Sequence, residues 1–374
     1  MSSTTLIQLA LMGLVVAALP LSLIWLARGT DKFARLCHVA LFMTFDLIVF
    51  GGYTRLTDSG LGCPDWPGCY GQANPLQAHT DIHAAQIAMP TGPVTLTKAW
   101  IEMIHRYLAM SVGVLIIAMV VLAWILWLKS KRSTRRFDPH LPMWLFATVC
   151  LQGAFGAFTV TMKLQPVIVT GHLLLGMSLL ALLAWQSARQ RNSGMLPASA
   201  AALRTPALAA AIVLTLQIAL GGWVSTNYAA LACTDFPLCH GVWLPVMDFA
   251  NGFTLWRKLG MTSTGAYLPF DALTAIHVTH RSFAFVVALV LGWLAWKASR
   301  IDDLRRLAIA LAGALTLQMA IGLATVALQW PLALAVMHNA GAALLVVLVV
   351  MLNYKARSAY AVAAVFATRT LPAP

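Results

Sequence analysis

Charged side chains are scarce in this sequence. Only 10% of its 374 residues are Asp, Glu, Lys or Arg, whereas 60% are hydrophobic. A soluble domain carries about 25% charged residues, so this composition excludes a soluble protein and indicates a chain that crosses a membrane several times. Nine apolar segments can each span a bilayer as a helix, and we predict them at residues 5–27, 35–53, 100–128, 141–162, 166–188, 206–226, 272–298, 305–328 and 331–354.

Acidic residues are scarcer than basic ones, which gives the chain a net charge of +13. An excess of this kind can indicate nucleic-acid binding, but its distribution argues against that function. Eighteen Lys and Arg lie on one side of the predicted spans, five lie on the other, and Arg106 and Arg281 lie within helices. The positive-inside rule then places the C-terminus in the cytoplasm and the N-terminus outside. We therefore predict no nucleic-acid partner.

The first span lacks the features of a signal peptide. No basic segment precedes it, no convincing small-residue cleavage site follows it, and Arg28 comes directly after it. We predict a retained transmembrane helix.

Landmarks in the remaining chain recur in the same order, which indicates an internal duplication. The predicted fold is an all-α polytopic membrane protein: a duplicated pair of four-helix transmembrane bundles plus one extra N-terminal transmembrane helix. The predicted segments are the extra helix with a cytoplasmic loop (1–34), the first half (35–188), a cytoplasmic linker (189–205), the second half (206–354) and a cytoplasmic tail (355–374).

Four histidines within the predicted spans are the main candidate ligands. His105, His172, His280 and His338 each lie about five to eight residues inside the outer face, which corresponds to a shared depth of roughly 8–12 Å. Neutral imidazole is a good axial ligand for haem iron, and facing helices of a bundle can hold one macrocycle. The alternative for each histidine is a hydrogen bond to a neighbouring helix. Matched pairs at one depth favour ligation, His105 with His172 and His280 with His338.

An arginine directly follows one histidine of each pair. Near the outer interface, Arg106 and Arg281 can bind haem propionates, because guanidinium pairs well with carboxylate. The alternative is that both side chains extend to lipid phosphates.

Glu102 lies one helical turn before His105 and is a candidate catalytic acid or base. It can instead pair with Arg106 or Arg55. His277 stands at the corresponding position of the second half, so the two sites differ chemically. This asymmetry favours one catalytic site and one electron-transfer site.

Cysteines are few, and four of the six occur as two pairs in the predicted outer loops: Cys63 with Cys69, and Cys233 with Cys239. Each pair can close a short disulfide loop in an oxidising compartment. Zinc binding is an alternative, but no clear remaining ligand set is visible. A disulfide here can be structural or can pass electrons by thiol–disulfide exchange.

Over about residues 35–354 the chain resembles the haem A synthase family. The likeness rests on Gly51-Gly52-Tyr53-Thr54-Arg55-Leu56-Thr57, Glu102-x-x-His105-Arg106, His172, His280-Arg281, His338 and the two cysteine pairs. It implies a bacterial inner-membrane enzyme that oxidises the C8 methyl of haem O to a formyl group and so makes haem A for terminal oxidases. It also implies that the first half handles haem O and the second half holds a haem b cofactor. The extra N-terminal helix departs from the family pattern.

Several matters stay open at this stage. The expected partners are haem O, haem A and membrane lipid; haem O synthase and oxidase assembly factors are candidates, and the electron acceptor is unknown. Alternative functions are a bis-histidine di-haem cytochrome, a thiol–disulfide oxidoreductase that uses the loop cysteines, and a transporter. Glu102, which has no counterpart in the second half, favours an enzyme over a symmetric cytochrome.

Overall fold

The computed structural model describes residues 3–29, 31–190 and 197–369, without the side chains of 135 and 362–369. Residues 191–196 of the predicted linker and 370–374 of the predicted tail lie outside this part. The described chain is helical and contains no strand. Its α-helices are α1 (Ser3–Leu26), α2 (Lys32–Leu56), α3 (His79–Ala88), α4 (Leu96–Lys129), α5 (His140–Thr161), α6 (Pro166–Gln190), α7 (Arg204–Thr226), α8 (Phe249–Gly252), α9 (Phe270–Ser299), α10 (Asp302–Ala327) and α11 (Leu332–Arg369).

Nine helices among the described residues are long and apolar enough to cross a membrane, which confirms the predicted spans. Most of the helices are a few residues longer than the predicted spans, and the last one exceeds its prediction most. A 3₁₀ turn from Ala198 to Leu203 precedes α7, and α11 continues to Arg369 instead of ending near residue 354. No Gly or Pro occurs between residues 355 and 369, so nothing in that segment stops the helix.

The start of α4 follows from local chemistry and positions the outer loop before it. The Thr95 hydroxyl oxygen accepts a hydrogen bond from the Lys98 N–H at 3.2 Å, which caps the helix. The helix has 34 residues and is therefore about 51 Å long, whereas a hydrocarbon core is about 30 Å thick. Its first turns are thus available to contact the outer loop.

The first of two compact units comprises the chain up to Gln190 together with Ser225–Asn227 and Thr254–Leu268. Within it, α4 packs against α1, α2 and α5, and α2 also packs against α6. A Cβ atom at Gly13 of α1 would lie 2.9 Å from Cβ of Met110, so glycine lets α1 approach α4 closely. Close van der Waals packing of this kind holds membrane helices together, because lipid tails are as apolar as the side chains.

The second unit contains the rest of the described chain. Helix α10 packs against α9 and α11, and the short helix α8 packs against α9. The Asn353 amide of α11 donates to the Ala207 carbonyl of α7 at 2.8 Å. This bond satisfies a polar side chain inside the bundle and ties the last helix to the first of this unit.

The loops before α4 and α9, which are the predicted outer loops, contain two short helices that were not predicted, α3 and α8. Ile82 is the buried residue of α3, so its ten residues carry little apolar periodicity. Helix α8 has four residues, which is too short for a periodic signal.

Candidate functional site

The predicted histidine pair of the first half lies on α4 and α6. Each imidazole packs against a glycine of a neighbouring helix. A Cβ atom at Gly51 would lie 2.9 Å from Cε1 of His105, and one at Gly156 would lie 3.3 Å from Cε1 of His172. The glycines thus make room for two imidazoles that sit within one helix bundle.

The second half repeats this arrangement on α9 and α11. A Cβ atom at Gly221 would lie 3.0 Å from Cε1 of His280, and a Cβ atom at Gly322 would lie 3.0 Å from Cε1 of His338. Any larger residue at the facing positions would push the imidazole away, so each histidine depends on its glycine.

The four imidazoles share a feature that leaves each ring free to bind a ligand, because no described neighbour holds it through Nδ1. In each ring Nδ1 is buried and has no hydrogen-bond partner among the described residues. Buried polar atoms are normally satisfied, so four matched exceptions need an explanation. Two imidazoles in each half would be the residues that hold a haem, because neutral imidazole is a good ligand for its iron. The residues present therefore fit a haem in each half.

Glu102 is buried and holds the first disulfide loop. One carboxylate oxygen accepts a hydrogen bond from the Cys63 N–H at 2.8 Å, and the other pairs with Arg106 at 2.5 Å. The alternative of pairing with Arg106 is therefore seen in the structure, and pairing with Arg55 is not; Arg55 pairs with Asp58.

Arg106 also binds the backbone of this loop. Its Nη1 donates to the carbonyl oxygens of Asp65, Pro67 and Gly68 at 3.0, 3.2 and 2.5 Å. Both terminal nitrogens are thus engaged by protein groups. A haem propionate at Arg106 would have to compete with the Glu102 carboxylate and the loop carbonyls for these nitrogens. The contact between Arg106 and a propionate stays a prediction.

His277 occupies the place of Glu102 in the second half. Its Nδ1 accepts a hydrogen bond from the Cys233 N–H at 3.2 Å. Arg281 donates through Nη2 to the carbonyls of Asp235 and Leu238, while its buried Nη1 has no partner among the described residues. Arg281 therefore retains a donor that a carboxylate can use.

The four loop cysteines are paired as disulfides, Cys63 with Cys69 and Cys233 with Cys239. The sequence did not predict a second interaction that closes each loop, in which an aspartate carboxylate accepts hydrogen bonds from two backbone N–H groups. The Asp65 carboxylate accepts from the N–H groups of Tyr70 and Gly71, and that of Asp235 accepts from those of His240 and Gly241. The signal was an aspartate two residues after the first cysteine in both loops.

The charge state of this second aspartate follows from its partners. The backbone N–H of Gly241, with that of His240, lowers the pKa of the Asp235 carboxyl below its usual value. This carboxylate stays ionised at neutral pH and keeps closing its loop.

Helix α1, which lies outside the repeat, covers the first loop. The Thr5 hydroxyl donates to the Gly71 carbonyl at 3.0 Å, and Leu9 packs in one apolar cluster with Cys63 and Cys69. The extra helix therefore supports the disulfide loop and begins on the same side of the bundle.

Fold and site together define a class, the polytopic helical membrane proteins whose half-buried histidine pairs suit haem. Within that class, the sequence profile of the cytochrome oxidase assembly protein family COX15-CtaA matches residues 34–350. The chain belongs to this family.

Curated relatives carry a more specific name. A protein of Shewanella oneidensis named heme A synthase is 40% identical over 322 residues, which cover 85% of this chain and 95% of that protein. Proteins of the same name from Erythrobacter litoralis and Nitrosospira multiformis are 30% and 27% identical and cover 84% and 89% of this chain; the alignments span 94% and 97% of those proteins.

Proposed function

We propose that this chain oxidises the C8 methyl group of haem O to a formyl group and so supplies haem A for terminal oxidases. The observation that carries the proposal is the pair of half-buried histidines in each half, each packed against a glycine and with a buried Nδ1. The name of relatives that cover most of the chain supports the same activity.

In this proposal the halves have different tasks. His280 and His338 hold a haem b in the second half, and Arg281 offers its unpartnered Nη1 to a propionate. His105 and His172 bind haem O in the first half, close to Arg106. When bound, haem supplies the redox chemistry of its iron.

Glu102 is the proposed proton acceptor. Converting a methyl to a formyl group removes hydrogen, so a base near the substrate is needed. Glu102 lies one turn from His105, and its carboxyl is buried. Arg106 orients this carboxyl, and the loop held over it limits water access.

For localisation, we propose a multi-pass protein of the bacterial inner membrane. The basic loops then face the cytoplasm, and the disulfide loops face the periplasm. Thr5 supports a periplasmic N-terminus because it contacts the first disulfide loop.

The function is tested by expression in cells that lack haem A, with and without a supply of haem O, followed by extraction of the pigments. Haem A is expected only when both the protein and haem O are present. The His172→Ala variant serves as the matched control and should accumulate haem O. A wild-type protein that binds haem but leaves haem O unconverted would instead favour the electron-transfer cytochrome.

A further inference from the structure

A glutamine stands one turn before most of the glycines that face a histidine. Gln152, Gln217 and Gln318 precede Gly156, Gly221 and Gly322 by four residues, whereas Leu47 takes this position before Gly51. The side-chain carbonyl oxygens of the three glutamines are buried without a partner among the described residues. The glutamines therefore belong to the histidine sites, and the first half has one where the second has two.

In the second half both glutamines bind backbone. The amide nitrogen of Gln217 donates to the carbonyl of His280 at 3.2 Å, and that of Gln318 donates to the carbonyl of His338 at 3.0 Å. These bonds fix the turn that carries each histidine against the neighbouring helix. Neither bond uses the imidazole, so both rings stay available to a ligand.

In the first half the glutamine reaches the ring itself. The amide nitrogen of Gln152 lies 3.5 Å from Nε2 of His172. Cε1 and Nδ1 are the ring atoms beside Gly156, at 3.3 and 3.9 Å from its ideal Cβ position. Nε2 is thus the ring nitrogen that α5 does not cover with glycine, and Gln152 is its neighbour.

We propose that Gln152 is a positioning residue that makes His172 a releasable iron ligand, whereas Gln217 and Gln318 make the ligands of the second half permanent. The inference rests on the proposed function, in which the first half binds a substrate haem that must leave as product. The Gln152 amide lies 3.5 Å from Nε2 of His172 and would have to move aside if this nitrogen held a haem. Without haem, the Gln152 amide donates a hydrogen bond to Nε2 of His172, and this bond stabilises the haem-free state. The second half has no such competition.

The test measures haem release from the purified full-length protein, loaded with haemin, to apomyoglobin. The first-half component is the one that His172→Ala removes. Gln152→Met keeps the length of the side chain and removes the hydrogen bond, so we expect release of this component to slow about 5-fold, which corresponds to about 1 kcal/mol for one hydrogen bond. Gln152→Leu, which repeats the residue at Leu47, should act in the same direction.

Gln318→Met is the matched control, because Gln318 precedes Gly322 and His338 as Gln152 precedes Gly156 and His172. It should leave first-half release unchanged and speed release from the second half, because it removes a bond that positions His338. A purely structural Gln152 would release haem faster when substituted, so faster or unchanged release from Gln152→Met, with second-half haem intact, overturns this inference alone. If the wild-type protein has no haem component that depends on His172, the proposed function fails and the inference fails with it.

Discussion

The two halves hold their disulfide loops by one plan with a single exchanged residue. The N–H of Cys63 donates to the Glu102 carboxylate, and that of Cys233 donates to Nδ1 of His277. The cysteine N–H therefore needs only a hydrogen-bond acceptor, which a carboxylate or a neutral imidazole can supply. The negative charge of Glu102 is not needed to hold the loop. Since Nδ1 of His277 accepts, this ring carries no proton there and is neutral.

The exchange changes the charge beside each arginine. Glu102 pairs with Arg106, so the first site contains an ion pair, whereas the neutral His277 leaves the charge of Arg281 without a carboxylate at that position. Arg281 also keeps an unpartnered Nη1 within the described structure. The unpartnered Nη1 of Arg281 makes the second half better suited to an anionic group such as a propionate. The first half instead has the Glu102 carboxyl, which is the proposed proton acceptor.

The loops also differ in how they are covered. The Tyr107 hydroxyl donates to the Ala73 carbonyl at 2.6 Å, and α1 packs over the same loop. The corresponding residues of the second half, Ser282 and Trp243, are both exposed. The first loop is therefore the more tightly held of the two.

The largest expected effect separates the two haems. His280→Ala or His338→Ala should remove the proposed haem b, because each deletes a proposed ligand of its iron. His105→Ala or His172→Ala should spare that spectrum and stop conversion of haem O. Optical spectra and haem extracted per protein measure both. If His105→Ala and His280→Ala lost the same component equally, the ligand pairs would have to cross between halves.

The next effect concerns Glu102. Glu102→Gln keeps an acceptor for the Cys63 N–H and removes the carboxylate, so haem b should be retained while turnover falls about 10²-fold or more. The ratio of haem A to haem O in membranes measures turnover. His277→Gln is the matched change in the second half and should lower this ratio far less. Near wild-type haem A from Glu102→Gln would mean that Glu102 only anchors Arg106 and the loop.

The smallest effect tests how the loops are covered and oriented. Intact cells carrying Cys37→Ser and Cys150→Ser are treated with an impermeant reductant and then an impermeant maleimide. Both disulfides should become labelled, and Cys233–Cys239 should react faster, since α1 and Tyr107 cover the first loop. Faster labelling of Cys63–Cys69 would refute the covering role of α1. Outside labelling of a Lys131→Cys variant would invert the proposed orientation.

The sequence by itself determined the nine spans and the histidine pairs. Long apolar runs can satisfy their backbone only as helices in lipid, so their number and places follow from composition. His105 and His172 stood out because imidazoles are rare within such runs, and a second pair at matching positions favoured a role as ligands, which stays a prediction.

The tertiary structure alone decided what these polar side chains contact. Arg106 and Arg281 bind backbone carbonyls of loops that fold back onto their helices, and a carbonyl leaves no mark on the sequence. The same holds for Gln152 and Gln217, which share one spacing to glycine but contact a ring in one half and a backbone oxygen in the other. A difference of this kind depends on side-chain orientation between packed helices, which residue order does not specify.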